Sequence, residues 1–68
     1  MKKKHKILFP KLEYEMLMQG ITQKELGKII GVSQPTIARK LSGESELTIG
    51  DVETICDYFN KDYYELFK

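Results

Sequence analysis

The sequence predicts an all-α fold of five short helices joined by tight loops. Three observations lead there. Apolar residues recur three and four positions apart along most of the chain. Thr22, Ser33, Thr48 and Asp62 each stand just ahead of such a segment, where a side-chain oxygen caps a helix start. Gly20, Gly31, Gly43 and Asn60 follow the first four segments, where a left-handed residue closes a helix.

The elements follow in order. Pro10 suits a first helical turn, and Leu12 and Met16 recur four apart until Gly20. Thr22-Gln23-Lys24-Glu25 fits the reciprocal capping box of a second helix. Leu26, Ile29 and Ile30 supply its buried stripe, and Gly31 can close it. Ser33 caps a third helix, Ile37, Ala38 and Leu41 face inward, and Gly43 ends it. Thr48 to Asp51 repeats the cap for a fourth helix, in which Val52, Ile55, Cys56 and Phe59 fall on one face. Asp62 caps a last short helix carrying Tyr63, Tyr64, Leu66 and Phe67. Local extension is expected only over Lys6 to Phe9.

At 68 residues there is room for one domain, expected over 9–68, behind a basic and flexible arm over 1–8. At this size only about 60% of the unfolded surface can be buried, which suits a small bundle and leaves no roomy substrate cavity. No apolar run approaches the ~20 residues of a membrane span. Lys2, Lys3, Lys4 and Lys6 resemble the start of a secretion signal, but Ile7-Leu8-Phe9 is too short an apolar stretch to complete one. Cys56 is alone, so neither a disulfide framework nor a cysteine metal cluster is expected, and a reducing cytoplasm is the simplest location. His5 offers neither a metal set nor a catalytic partner, and Met16 and Met18 read as core and surface filler.

The net charge of +1 conceals a strong asymmetry. Residues 1–40 hold nine Lys and Arg against three Asp and Glu, whereas 41–68 hold two against seven. Such segregation suits one face for a polyanion and another turned away from it; a dipolar chain with a solvated Lys-rich start is the alternative. A pI near 7.8 is below that of a strongly basic nucleic-acid binder, so charge alone leaves both readings open.

The spacing Gln23-Lys24-Glu25-Leu26-Gly27, three residues, Gly31-Val32-Ser33-Gln34, two residues, Ile37 closely resembles the helix-turn-helix of the Cro and phage-repressor family. These are the lambda-repressor-like, or Xre-type, regulators of bacteria and phages. The likeness runs from about Leu12 to Phe67. Each shared position has a physical reason. A small residue at Gly27 lets the second and third helices cross closely, and Gly31 permits a sharp turn. Leu26, Ile30, Val32 and Ile37 lock the pair to the bundle. There are two departures: the family commonly has alanine in place of Gly27, and an apolar residue in place of Lys40. Leu41 is the natural substitute for the second.

The resemblance implies a lambda-repressor-like bundle whose helix 34–41 enters the major groove of operator DNA. Gln34, Pro35, Thr36 and Arg39 would then meet bases. A glutamine amide matches adenine N6 and N7, Pro35 suits a thymine methyl, Thr36 offers either a methyl contact or a hydroxyl bond to phosphate, and Arg39 suits guanine O6/N7 or a bidentate phosphate contact. Thr22, Gln23, Lys40 and Ser42 would meet phosphate, with Gly43 and Ser45 adding backbone contacts. Glu44 and Glu46 would oppose phosphate, so their loop is expected to point partly away. Lys2, Lys3 and Lys4 would follow the groove as a basic arm that adds salt-dependent affinity. Tyr63, Tyr64 and Phe67 either bury against the fourth helix or form a dimer contact that spaces two half-sites of a palindromic operator.

The implied partner is double-stranded DNA, bound as a homodimer, with no membrane and no small-molecule substrate. No cofactor and no metal are expected. One His, one Cys and no carboxylate pair in an apolar setting leave little catalytic machinery, so an enzyme is not expected. The competing class is a protein-binding adaptor, such as an antitoxin-like partner, that uses its aromatic end on another protein.

Overall fold

The computed structural model describes residues 8–68, and in them five helices follow one another with no strand. They are α1 (Pro10–Gln19), α2 (Gln23–Ile30), α3 (Gln34–Ser42), α4 (Ile49–Phe59) and α5 (Tyr63–Phe67). Lys2, Lys3 and Lys4, and with them all of the expected basic arm except Leu8, lie outside the described residues.

The caps form where the residue types place them. Thr22 and Glu25 complete the capping box of α2: the Glu25 amide donates to Thr22 Oγ1 at 3.1 Å and the Thr22 amide to Glu25 Oε1 at 3.0 Å. Thr48 with Asp51, and Asp62 with Glu65, repeat that exchange at α4 and α5. Each such cap contributes about 1 kcal/mol by satisfying amides the helix cannot. α1 has no side-chain cap; Pro10 fills its first turn, and Phe9 ahead of it is held by the core instead.

One to two side chains from each helix make the core: Leu12 and Met16, Leu26, Ile37 and Leu41, Ile55 and Phe59, and Leu66. α2 packs on α3 and α4, α1 packs on α5, and α5 also meets α4. The expected stripes hold with one refinement. Ile29, Ile30 and Cys56 are half-buried and pack against the core, and Ala38 and Val52 are half-buried rather than fully inside. Leu41 is 4% exposed and fills the place beside Lys40, as the residue pattern suggests. α5 has only five residues, too few to hold a helix alone, so it depends on Leu66 and on edge-to-face packing of Phe67 on Phe9 (centroids 5.3 Å, 79°). α1 is apolar on two faces: Tyr14, Leu17 and Met18 point outward, opposite Leu12 and Met16.

Two glycines set the angle between α2 and α3. Gly31 closes α2 at φ 82°, a left-handed value that a side chain resists, and the chain turns there directly into Val32. Gly27 lies inside α2 against that turn. Its carbonyl accepts the Val32 amide at 2.8 Å, and an added Cβ would stand 2.9 Å from the Val32 carbonyl oxygen. Gly27→Ala would gain about 1 kcal/mol of helix propensity but must push back a backbone atom. The expected outcome is a net fall in thermal midpoint; a rise on thermal unfolding would show that the turn gives way freely.

Candidate nucleic-acid interface

α2 and α3, joined by Gly31, Val32 and Ser33, present the surface that carries the expected contacts. In α3, Pro35, Arg39 and Ser42 recur at helical spacing along one stripe, while Ile37 and Leu41 occupy the opposite face inside the core. Gln34, Pro35 and Arg39 are exposed, and Thr36 and Ser42 are half-buried. Among the described residues, the guanidinium of Arg39 and the amide of Gln34 engage no protein group. Both are on α3, five residues apart.

The start of α2 is partly closed. The Glu25 carboxylate receives both the amide of Thr22 and its hydroxyl, the latter at 3.4 Å. Thr22, expected at phosphate, therefore spends its donors internally. The amides of Gln23 and Lys24, in the first turn, have no helical carbonyl to meet, so an anion would find its donors there. The Gln23 side chain is half-buried beside them. Ser42 is similarly occupied: its hydroxyl donates to the Arg39 carbonyl at 3.1 Å, an oxygen that also accepts the amides of Glu44 and Ser45. Lys24 and Lys28 are exposed four residues apart on the outer face of α2, a pair of cations that the sequence reading passed over.

Lys40 occupies a different place from the one expected. Its ammonium lies 2.9 Å from Asp51 Oδ2 and donates to the Glu46 carbonyl at 3.0 Å, and only 11% of its side chain is exposed. Asp51 is the residue that closes the capping box of α4, so its carboxylate serves the helix start and the lysine together. The physical reason is register. One residue past Arg39, position 40 falls on the flank of α3 that faces the beginning of α4. The four-carbon stem covers apolar surface there while the charge reaches the acid. A usable signal did exist in the sequence: a lysine where the family has an apolar residue, and an acid eleven positions on at a helix start.

The charge pattern follows from this arrangement. With Lys40 neutralised, the exposed cations of the helix-turn-helix are Lys24, Lys28 and Arg39 beside one exposed acid, Glu25; Glu44 and Glu46 are exposed in the loop after α3, and Glu53, Asp57, Asp62 and Glu65 on α4, α5 and the turn between them. Burial pushes the Asp51 carboxyl up, but the hydrogen bonds from Lys40 and Thr48 and the lysine's charge outweigh it, and its pKa ends below the ordinary value. Burial, with the negative charges of Asp57 and Asp62, raises that of Cys56, which is half-buried on α4. Tyr63 and Tyr64 are exposed, and Tyr63 stacks on Phe67 at 5.6 Å. Among the described residues, no group of three or more His, Cys, Asp or Glu could hold a metal ion, and no helix is long and apolar enough to cross a membrane.

The pairing of Lys40 with Asp51 is testable by mutation and pH. Lys40→Met should destabilise the fold by about 2 kcal/mol, between the values for exposed and buried pairs. Because Asp51 titrates lower in the folded chain than in the unfolded one, its contribution is complete above the unfolded pKa. It disappears as pH falls through the folded value. The stability gap between the wild type and Asp51→Asn should therefore be constant from about pH 5 to 7 and narrow on acidification below about pH 4. A gap that widens in acid would contradict the assignment.

A family model described as helix-turn-helix (HTH_3) matches residues 12–66, which takes in all of α2 to α4 and most of α1 and α5. No curated protein and no solved structure shows a significant match to the chain. With the match spanning most of the sequence, and with two helices crossing at a glycine turn beneath an outward polar stripe, the chain belongs to the helix-turn-helix family of DNA-binding regulators.

Proposed function

We propose that this chain is a sequence-specific, repressor-like regulator of transcription that lays α3 in the major groove of operator DNA. The observation that carries the reading is the outward stripe of α3: Gln34, Pro35 and Arg39 are exposed without protein partners, while Ile37 and Leu41 anchor the same helix in the core. A rigid helix with uncommitted donors on its outer face suits base edges. Arg39 is the groove-facing cation, suited to guanine O6/N7, and Gln34 reads adenine or its neighbour. Gln23, with the free amides at the start of α2, holds phosphate, and Thr22 and Ser42 contribute through backbone groups. Lys40 acts from inside by fixing the end of α3 to α4.

A homodimer on a palindromic site completes the reading. Two copies would place their recognition helices about one helical turn apart, 34–36 Å. Tyr63 and Tyr64, 45% and 67% exposed on α5, are the residues proposed for the contact, with Phe67 as their support. The basic arm with Lys2, Lys3 and Lys4 is assigned a salt-dependent, sequence-independent share of the affinity.

The reading is tested by selecting bound sites from random duplexes with the purified protein, followed by binding assays at several salt concentrations. A palindromic motif is expected, with affinity that falls steeply with salt because phosphates are neutralised. Arg39→Ala should weaken binding to the selected site by about 5- to 150-fold and relax one base position, the range for a lost bidentate base contact. Lys40→Met, assayed at a temperature where it is folded, should keep the wild-type motif. An Arg39→Ala protein that binds the same motif with the same affinity would sink the assignment of α3.

A further inference from the structure

α1 carries an apolar stripe that the fold leaves uncovered. Tyr14, Leu17 and Met18, three and four positions apart, are 62%, 77% and 64% exposed, while Leu12 and Met16 take the opposite face into the core. Single exposed apolar residues are ordinary, and Ile49 and Tyr58 on α4 are of that kind. Three on one helical face make a patch. This patch adjoins α5. Tyr14 lines a shallow groove with Pro10, Lys11 and Glu15 of α1, and with Lys61 and Glu65 beside and on α5. The Lys11 ammonium, one turn before Tyr14, donates to the Tyr64 carbonyl at 3.4 Å. Tyrosines thus stand on both sides of the seam between the two helices: Tyr14 on α1, and on α5 Tyr64 and Tyr63, whose rings meet edge to face at 5.7 Å.

We propose that a second copy of this chain covers this face, with α1 and α5 of one copy packed on α1 and α5 of the other about a two-fold axis. The inference rests on the homodimer reading and adds α1 to the contact assigned to α5. Two arguments select the occupant. The first is area. Tyr63 and Tyr64 together expose about 250 Å², whereas a specific interface buries about 500–600 Å² on each side, so α5 alone is too small to hold a dimer. With Tyr14, Leu17 and Met18 the exposed area rises to roughly 600 Å², which reaches that threshold. The second argument is charge. A two-fold interface sets a patch against itself, so a patch of one sign repels its own copy. The α1–α5 groove carries two lysines and two glutamates, Lys11, Lys61, Glu15 and Glu65, and is balanced. By contrast, α2 and α3 expose Lys24, Lys28 and Arg39 against Glu25 alone, and α4 with the turn after it exposes Glu53, Asp57 and Asp62. Those two faces would repel their own copies; the α1–α5 face would not.

Self-association is measured on the full chain by sedimentation over a concentration series, for the wild type, Leu17→Glu, Tyr14→Ala, Tyr64→Ala and Ile49→Ala. Where the free protein dimerises too weakly to measure, cooperativity of binding to the selected palindrome is the readout. Thermal unfolding and helix content establish that each variant is folded; Glu and Ala are good helix formers at exposed sites. Leu17→Glu, Tyr14→Ala and Tyr64→Ala should each weaken association by about 5- to 30-fold, the range for side chains that matter at a contact. Ile49→Ala, which trims an equally exposed side chain elsewhere, should leave it unchanged. A dimer weakened by Tyr64→Ala but by neither α1 variant overturns the proposal and leaves the α5 homodimer reading standing. Equal weakening by Ile49→Ala would reveal non-specific association and overturns the proposal as well. A wild type that stays monomeric and binds without cooperativity overturns both this inference and the homodimer reading, while the selected motif remains the separate test of α3.

Discussion

The contact between the middle of α2 and the turn that leaves it governs the geometry of everything functional in this protein. Gly27 and Val32 exchange backbone contacts in both directions: one carbonyl accepts an amide at 2.8 Å, and the other comes to within 2.9 Å of where a Cβ would project. No side chain lies between them. α3 therefore leaves the turn at an angle set by backbone atoms, which yield far less than side chains do. Ile37 and Leu41 then fasten α3 to the core, and the polar stripe has only one direction left in which to point. Without so close a crossing, Gln34 and Arg39 would sit on a helix of uncertain tilt, and a recognition surface depends on placement to within a fraction of an ångström.

A second tie works at the other end of α3. Lys40 joins it to Asp51, and Asp51 is already committed to the cap of α4. One carboxylate thus couples the end of one helix to the start of the next across the loop, and the Glu46 carbonyl shares the same ammonium. The pair also changes the charge map. A cation that counts towards the basic part of the sequence is neutralised within the fold, so the outer face of α3 depends on Arg39 as its cation. Of the exposed acids only Glu25 lies on the two helices that form the motif; Glu44 and Glu46 follow α3, and the rest lie on α4, α5 and the turn before α5. The separation of charge along the sequence becomes a separation between structural elements, because the chain folds in sequential helices and each keeps its own residues.

Much of this arrangement was legible beforehand. The caps at Thr22, Ser33, Thr48 and Asp62, the terminators at Gly31 and Asn60, and the inward places of Leu26, Ile37 and Ile55 all follow from interactions within about one helical turn. The site was legible in outline only. The residue types on α3 mark Gln34 and Arg39 as outward, but nothing in a local pattern says that Ser42 bonds back to the Arg39 carbonyl or that Thr22 turns its donors to Glu25. Nor does it show that Ser33 and Thr36 bond through their hydroxyls as well as through the cap. Lys40 is the clearest case. Its partner is eleven residues away, across a loop and on another helix, and periodicity has no means of finding it.

By itself, then, the sequence determined the five helices, their starts and stops, their apolar faces and their family, because short-range hydrogen bonding and hydrophobic period are written into neighbouring residues. The tertiary structure decided which of two adjacent cations faces outward, which polar groups remain free to meet a partner, and how close α2 and α3 can come. Those outcomes depend on the rotation of one helix against another, and that rotation is settled only when the core packs and every buried polar group must find its partner.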